Sequence, residues 1–310
     1  LILTLSTFSV GDGVEKMMAD FHNGRPPFLL TSAFPFAGQV RFYPLPLLAV
    51  RQAAASGRMG SMRMKDLKQI DFVSERAFQG LLDEPVSLAD QFRTGRILPG
   101  GLLVLEDEIH LLPAAIVDGD QRVFDNQEKR PRVTIDRAES ASNLFYTGSV
   151  RFGQRCGLWF GLRWLKDESP WKSILAQILS ALQDEGLGGD RTSGFGQVEL
   201  LPWESFSLPD PENKAWVSLS RFIPTADEVS AIYDPDAGFE FIRVAGWMRS
   251  PGKPAQRRRS VRMLSEGSTF GALPDTPLGR VVNVQPEQWN GHPIYRSGLA
   301  FGVGISTEGR

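Results

Sequence analysis

The chain has 310 residues, of which 42% are hydrophobic and 23% charged, and its formal net charge is −2. That is enough apolar sequence for roughly two domains of about 100–200 residues each, and it excludes a polycation, so any nucleic-acid contact must be a local basic patch. The single cysteine, Cys156, excludes an internal disulfide and a cysteine-cluster metal site and fits a reducing cytoplasm; no apolar run approaches the roughly 18 residues of a membrane span.

Glycine (31) and proline (21) are plentiful and the periodic segments are short, which points to an α+β fold. Leu1–Leu5 reads as a strand. Val14–Phe21 reads as a short helix with Val14, Met17, Met18 and Phe21 on one face, stopped by Pro26-Pro27. Arg58–Lys68 is basic, contains methionines and is expected to be exposed. Glu106-Asp107-Glu108-Ile109-His110 superficially resembles a helicase D-E-x-H, but the chain has no Walker A loop to serve it, so an exposed acidic turn is expected. Lys129-Arg130-Pro131-Arg132 and Arg257-Arg258-Arg259 are compact basic runs, readable as solvated faces or as RNA contacts.

Val150–Trp164 carries the clearest strand signal. Val150, Phe152, Cys156, Leu158, Phe160, Leu162 and Trp164 fall on even numbers, and arginines and glycines take most odd ones. The stretch is long for one strand, so a bend near Gly153–Gly157 is expected. Ser169-Pro170 then reads as a helix N-cap with proline at the first helical position. Ile174, Leu175, Ile178, Leu179 and Leu182 form an apolar stripe, and Gly186 sits where a left-handed C-cap belongs. After the glycine-rich stretch, Val198–Leu200 reads as a strand and Pro202–Pro211 as an inter-domain linker. Strand-like alternation follows at Val217–Ile223, Phe239–Val244 and Leu299–Ile305. In the last, Leu299, Phe301, Val303 and Ile305 share one face, and the other is nearly bare.

The stretch GLGGDRTSGFG, Gly186–Gly196, is the densest glycine run. It is not a Walker A loop or a dinucleotide fingerprint, because both need a strand before and a helix after, and here the order is helix, loop, strand. What remains is a backbone that a ligand can approach closely, with amides able to form an anion nest. Gly186, Gly188, Gly189, Gly194 and Gly196 give that access, Arg191 gives charge, Thr192 and Ser193 give donors, and Phe195 gives a stacking face or a core anchor. The competing reading is a flexible connector. His22, His110 and His292 are scattered without helical pairing, which speaks against zinc.

Several stretches in collinear order carry a resemblance: PPFLLTSAFPF (26–36), KRPRVTIDRAESASNLFYTGSVRF (129–152), GLGGDRTSGFGQVEL (186–200), SVRMLSEGSTFG (260–271) and HPIYRSGLAFGVGI (292–305). The glycine loop is similar to that of the CRISPR RAMP proteins. Together the stretches resemble the fourth subunit of the type III-A (Csm) CRISPR interference complex, in the Cas5 group. The resemblance departs at the N-terminus, where the family's long helix after the first strand, with an S/G-D-T-L-F motif, has no counterpart between Leu1–Ser9 and Val14–Phe21.

The resemblance implies two ferredoxin-like, RRM-like domains, placed here at residues 1–201 and 202–310. It implies a non-catalytic cytoplasmic subunit, without cofactor or metal, that holds the repeat-derived 5′ tag of the CRISPR RNA. It also implies contact with the large Cas10-type subunit and with a backbone RAMP subunit, and none with a membrane. RNA single strands are held by sheet surfaces, aromatics, arginines and glycine loops. The candidate RNA contacts are therefore the loop residues with Arg130, Arg132, Arg137, Ser142 and Asn143. The alternative is a RAMP endoribonuclease, which needs a general base and a general acid at the scissile phosphate. The aromatic, proline and glycine content of 26–36 and 292–305 further suggests a surface partly covered by another subunit, with core packing the competing reading, favoured for Leu299–Ile305 itself.

Overall fold

A computed structural model of the protein describes residues 18–57, 63–135, 142–166, 171–189, 191, 194–211, 215–234, 237–250, 253–272, 278–291 and 293–306. Contacts divide the chain into two units that do not follow chain order. One is built on Ala33–Phe160. The other combines the segment ending at Ser32 with the chain from Gly161 onward. Pro202–Pro211, expected as an inter-domain linker, lies within the second unit. There, Phe206 packs over Gly161, its Cζ 2.9 Å from where a Cβ would stand, and Gly304 N–H donates to Pro209 O at 3.0 Å. The segment is a packed strap on that unit.

The Ala33–Phe160 unit carries a six-stranded sheet in the order Gly95–Leu98, Leu102–Leu105, Phe72–Ser74, Val40–Pro44, Phe34–Ala37, Cys156–Trp159. Only the Phe72–Ser74 and Leu102–Leu105 pair is parallel. Its crossover runs through the helices Glu75–Asp83 and Leu88–Thr94. Strand alternation fills both faces. Val40, Phe42, Leu102 and Val104 join Leu112, Ile116 and Val123 on one side. On the other, Tyr43 stacks on Phe78 of the helix with ring centroids 4.6 Å apart. Arg41 pairs with both oxygens of Glu75 at 3.0 Å. Burial, and then the Glu75 carboxylate beside it, hold the Tyr43 phenol protonated well above its ordinary range.

The acidic turn expected at 106–110 is a 3-10 helix, Glu106–Leu111. Glu106, Asp107 and His110 are exposed as expected, but Glu108 is only 3% exposed. Its neighbour in space is the start of helix Glu75–Asp83, which supplies hydrogen-bond donors that an exposed turn would lack.

The bend expected near Gly153–Gly157 is present as a turn at Gln154-Arg155, with Arg155 at φ 58°. Its flanking strands separate. Ser142–Phe152 pairs with Phe124–Ile135, Cys156–Trp159 with Phe34–Ala37, and Leu162–Trp164 with Phe28–Leu30. The even-numbered face is not uniformly the core face: Val150 is 54% exposed and Leu158 43%. At Gly157 the odd face is the packed one, because a Cβ there would stand 2.8 Å from Phe36 Cε1. Arg163 lies against Phe301 at 4.5 Å and donates to Gly302 O at 3.1 Å, so it serves packing.

The second unit is built from small antiparallel pairs around Trp216, Phe222, Leu264, Phe270, Leu278 and Ala300. Trp216–Ser218 lies between Thr269–Phe270 and Gly302–Gly304. Leu299, Phe301, Val303 and Ile305 are all buried, as their shared face predicts. The bare face is covered too: a Cβ on Gly298 would stand 2.6 Å from Ile223 Cβ, and one on Gly302 would stand 3.2 Å from Pro211 Cγ. Most described residues of 26–36 are likewise buried. Core packing, the competing reading for Leu299–Ile305, therefore holds for that segment, while Ala33, Pro293 and Ser297 on these stretches are exposed.

Near the N-terminus, helix is described at 18–22, followed by a turn whose Gly24 has φ 67° ahead of Pro26. Leu1–Leu5 and residues 14–17 lie outside the described residues. Of Arg58–Lys68, the described part folds into one helical turn, Met64–Leu67. It exposes Arg63, Lys65 and Lys68 and buries Leu67.

Candidate nucleic-acid interface

The glycine loop grows from the helix Trp171–Glu185. Leu175, Ile178 and Leu179 bury the expected stripe, and Ile174 and Leu182 are half-buried. The Ser169-Pro170 start lies outside the described residues. The helix ends as its sequence demands: Gly186 has φ 78° and its N–H donates to Leu182 O at 2.9 Å.

The loop glycines fall into two classes. Gly186 and Gly196 form a neck, where Leu187 N–H donates to Gly196 O at 2.7 Å. A Cβ on Gly186 would lie 2.8 Å from Gly196 O, and one on Gly196 would overlap the Leu187 carbonyl. These glycines let two backbones close on each other. Gly188, Gly189 and Gly194 have nothing within 4 Å of a Cβ position, and Gly188 and Gly194 have φ of 94° and 81°. The tip is open backbone that a ligand can touch.

Arg191 is not an unengaged charge. Its Nη1 donates to Glu185 Oε2 at 3.1 Å and contacts Glu185 O at 3.5 Å, pulling the loop back onto the helix end. Both partners are well exposed, so the pair contributes about 0–1 kcal/mol and an anionic ligand can compete for it. Phe195 and Gly196 are half-buried, and Thr192 and Ser193 lie outside the described residues. The strand expected at Val198–Leu200 is absent. The segment instead docks on the helix, with Leu200 N–H donating to Gln183 Oε1 at 2.7 Å, so this amide is satisfied by a side chain rather than by a ladder.

The other candidates sit on a long two-stranded hairpin, Phe124–Ile135 with Ser142–Phe152. The register sets Arg130 opposite Thr147, Arg132 opposite Phe145, Thr134 opposite Asn143 and Ile135 opposite Ser142, with an irregularity between Gln127 and Arg130. Arg137 lies outside the described residues. Between these positions, Val133 pairs with Leu144 and Pro131 with Tyr146. Val133, Leu144 and Tyr146 are all more than half exposed. Sequence reasoning named the arginines and missed this apolar ridge, although alternation in RPRV and LFY carries its signal. The hairpin belongs to the Ala33–Phe160 unit and the glycine loop to the other.

His22 meets Tyr295 edge-on at 4.3 Å, His110 is exposed, and His292 lies outside the described residues. Among the described residues, no group of His, Cys, Asp and Glu is arranged to hold a metal ion, and no helix is long and apolar enough to cross a membrane.

A family model for the RAMP superfamily matches residues 54–199, and one for the CRISPR Csm4 C-terminal domain matches residues 211–305. The chain belongs to the Csm4 family of RAMP proteins. It is 23% identical over 301 residues to the CRISPR system Cms protein Csm4 of Thermococcus onnurineus (strain NA1), covering 94% of this chain and 84% of that protein. It is 24% identical over 279 residues to Csm4 of Mycobacterium tuberculosis (strain ATCC 25618 / H37Rv), covering 86% of this chain and 76% of the relative. Among solved structures, it resembles a chain of the Csm3-Csm4 subcomplex of the type III-A CRISPR-Cas interference complex. That match has a TM-score of 0.66 at 16% identity, over 98% of this chain and 91% of the other. A chain of a Csm1-Csm4 cassette in complex with cA4 matches with a TM-score of 0.53 at 17% identity, over 98% and 88%. The expected α+β class stands, and the fold is of the ferredoxin-like RAMP kind.

Proposed function

We propose that this Csm4-family chain is a non-catalytic RNA-holding subunit of a cytoplasmic type III-A effector complex. It caps the CRISPR RNA by gripping its repeat-derived 5′ tag, and needs no cofactor. The observation that carries this reading is the division of labour in the loop. Gly186 and Gly196 close a neck, while Gly188, Gly189 and Gly194 leave the tip bare. A tip without side chains lets a sugar–phosphate backbone lie against amides, and Arg191 stands one salt bridge away. The hairpin with Arg130, Arg132, Ser142 and Asn143 is the second proposed contact, and Arg137, Thr192 and Ser193 complete the set. Two ferredoxin-like domains, at 1–201 and 202–310, are part of the same reading.

The partners follow from the relatives. A Csm4 chain is solved with Csm3, and another with Csm1. We carry both over, as the backbone RAMP subunit and the Cas10-type subunit. The test is affinity for a tag-bearing RNA. Gly194→Val is expected to abolish it without unfolding the chain, and normal affinity in the folded variant would overturn the reading. Metal-independent cleavage of repeat RNA by the isolated chain, lost in His110→Ala or His292→Ala, would favour the endoribonuclease instead.

A further inference from the structure

The Arg257-Arg258-Arg259 run is built into the second unit and is left unused by the loop. Arg258 N–H donates to Gly246 O at 2.9 Å, and its guanidinium lies where a Cβ of Gly246 would be. Arg258 and Arg296 line one narrow cleft together. Burial, then the nearby Arg258 and Arg221, lower the Arg296 pKa, and Glu266 acts in the other direction. Arginine remains protonated through such shifts. Glu266 is already engaged: its Oε1 accepts from Ser32 Oγ at 2.6 Å and from Arg221 Nε at 3.1 Å. Glu266, the carboxylate acting on Arg296, is thus already committed to Arg221, and Arg258 shares the cleft with Arg296. Close like charges of this kind cost energy unless a counter-anion occupies the site.

Next to the cleft, an open recess of about 320 Å³ is lined by Gln256, Arg257, Arg258 and Arg259 on one segment and by Pro286, Glu287 and Gln288 on another. Trp247 is 60% exposed, and the Arg257 guanidinium lies 5.1 Å from its ring centroid. Guanidinium groups beside an exposed indole are the pairing that holds single-stranded nucleic acid, phosphate on arginine and base on the ring.

We propose that the Arg257–Arg259 recess, with Arg296 sharing the adjoining cleft with Arg258, binds the phosphodiesters of single-stranded RNA, and that Trp247, beside Arg257, is its base platform. The site is separate from the glycine loop. It rests on the reading that this chain holds RNA, but on different residues. The recess is open, which suits a passing strand.

The test uses the full chain and a fluorescein-labelled ten-residue oligouridylate that lacks any tag sequence. Arg258→Ala with Arg296→Ala should weaken binding by about tenfold at low salt and reduce the salt slope by about 1.4, the sum for two single-strand phosphate contacts. Gly246→Ala keeps every charge and displaces only the far end of Arg258, so it should weaken binding with an unchanged melting temperature. Trp247→Ala should weaken binding while leaving the salt slope intact. Gly194→Val should retain oligouridylate binding. Unchanged affinity and slope in the folded double-arginine variant, or in Gly246→Ala, would overturn this site and leave the glycine loop standing. Equal competition by ATP or inorganic phosphate at the same phosphate concentration would also overturn it, showing a site for free phosphate rather than for a strand.

Discussion

Ser74 Oγ donates to Glu108 Oε2 at 2.5 Å in the interior of the six-stranded unit, where both residues are buried. Ser74 occupies the N-cap of helix Glu75–Asp83 but makes no side-chain cap bond to it. Glu108 takes that part from across the fold: its Oε1 accepts the Arg76 N–H at 3.3 Å. A carboxylate at a helix N-terminus satisfies orphan donors and meets the positive end of the helix dipole.

Glu108→Ala is therefore expected to cost about 2–4 kcal/mol, because it strands the Ser74 hydroxyl and a helix donor away from water. Glu108→Gln should cost less, since an amide oxygen still accepts. Thermal melting of the two variants checks the order. An alanine variant as stable as the parent would remove the capping role.

The loop glycines should separate by variant. Gly196→Ala should lose stability, because its Cβ overlaps the Leu187 carbonyl. Gly194→Val meets open space and carries only the strain of a β-branched residue at positive φ, about 1–2 kcal/mol. It should fold and fail to bind tag RNA. Melting and RNA affinity, measured together, test both halves. Stability loss equal to that of Gly196→Ala would mean that Gly194 is structural.

The Glu185–Arg191 pair yields a prediction of opposite sign. Arg191→Ala should weaken RNA binding by about 1–3 kcal/mol, the range for a hydrogen bond to a charged group. Glu185→Gln releases the guanidinium and removes a negative charge, so it should strengthen binding. Stability should move little in either variant. Weaker RNA binding in Glu185→Gln would show that the salt bridge holds the loop in its binding shape.

Cys156 gives a pH test. Burial raises its thiol to about 11. At pH 8 roughly one molecule in a thousand carries the thiolate, so alkylation by iodoacetamide should be slow and accelerate steeply toward pH 11. The folded pKa lies above the unfolded one. The stabilisation from the neutral thiol is thus fully present below the ordinary thiol pKa and is lost as pH rises through about 11. Rapid labelling at pH 8 in the folded protein would show an exposed, ordinary thiol.

Local signals determined much of this protein. The apolar stripe of Ile174–Leu182 and the cap at Gly186 were legible because a helix needs only its own spacing and a residue that accepts positive φ. The buried face Leu299–Ile305 was legible for the same reason, from alternation alone. Partnerships were not legible, because they depend on residues far apart in sequence. Val150–Trp164 announces strands and a bend, yet its three strands pair with three different segments. Glu108 looks like a surface acid until the chain brings Ser74 to it across 34 positions. Arg191 looks like a ligand contact until Glu185, one helix end away, takes its charge. Sequence sets periodicity and backbone permission. Only the tertiary structure decides which charges are neutralised and which glycines face open space, because both depend on what distant segments leave unoccupied.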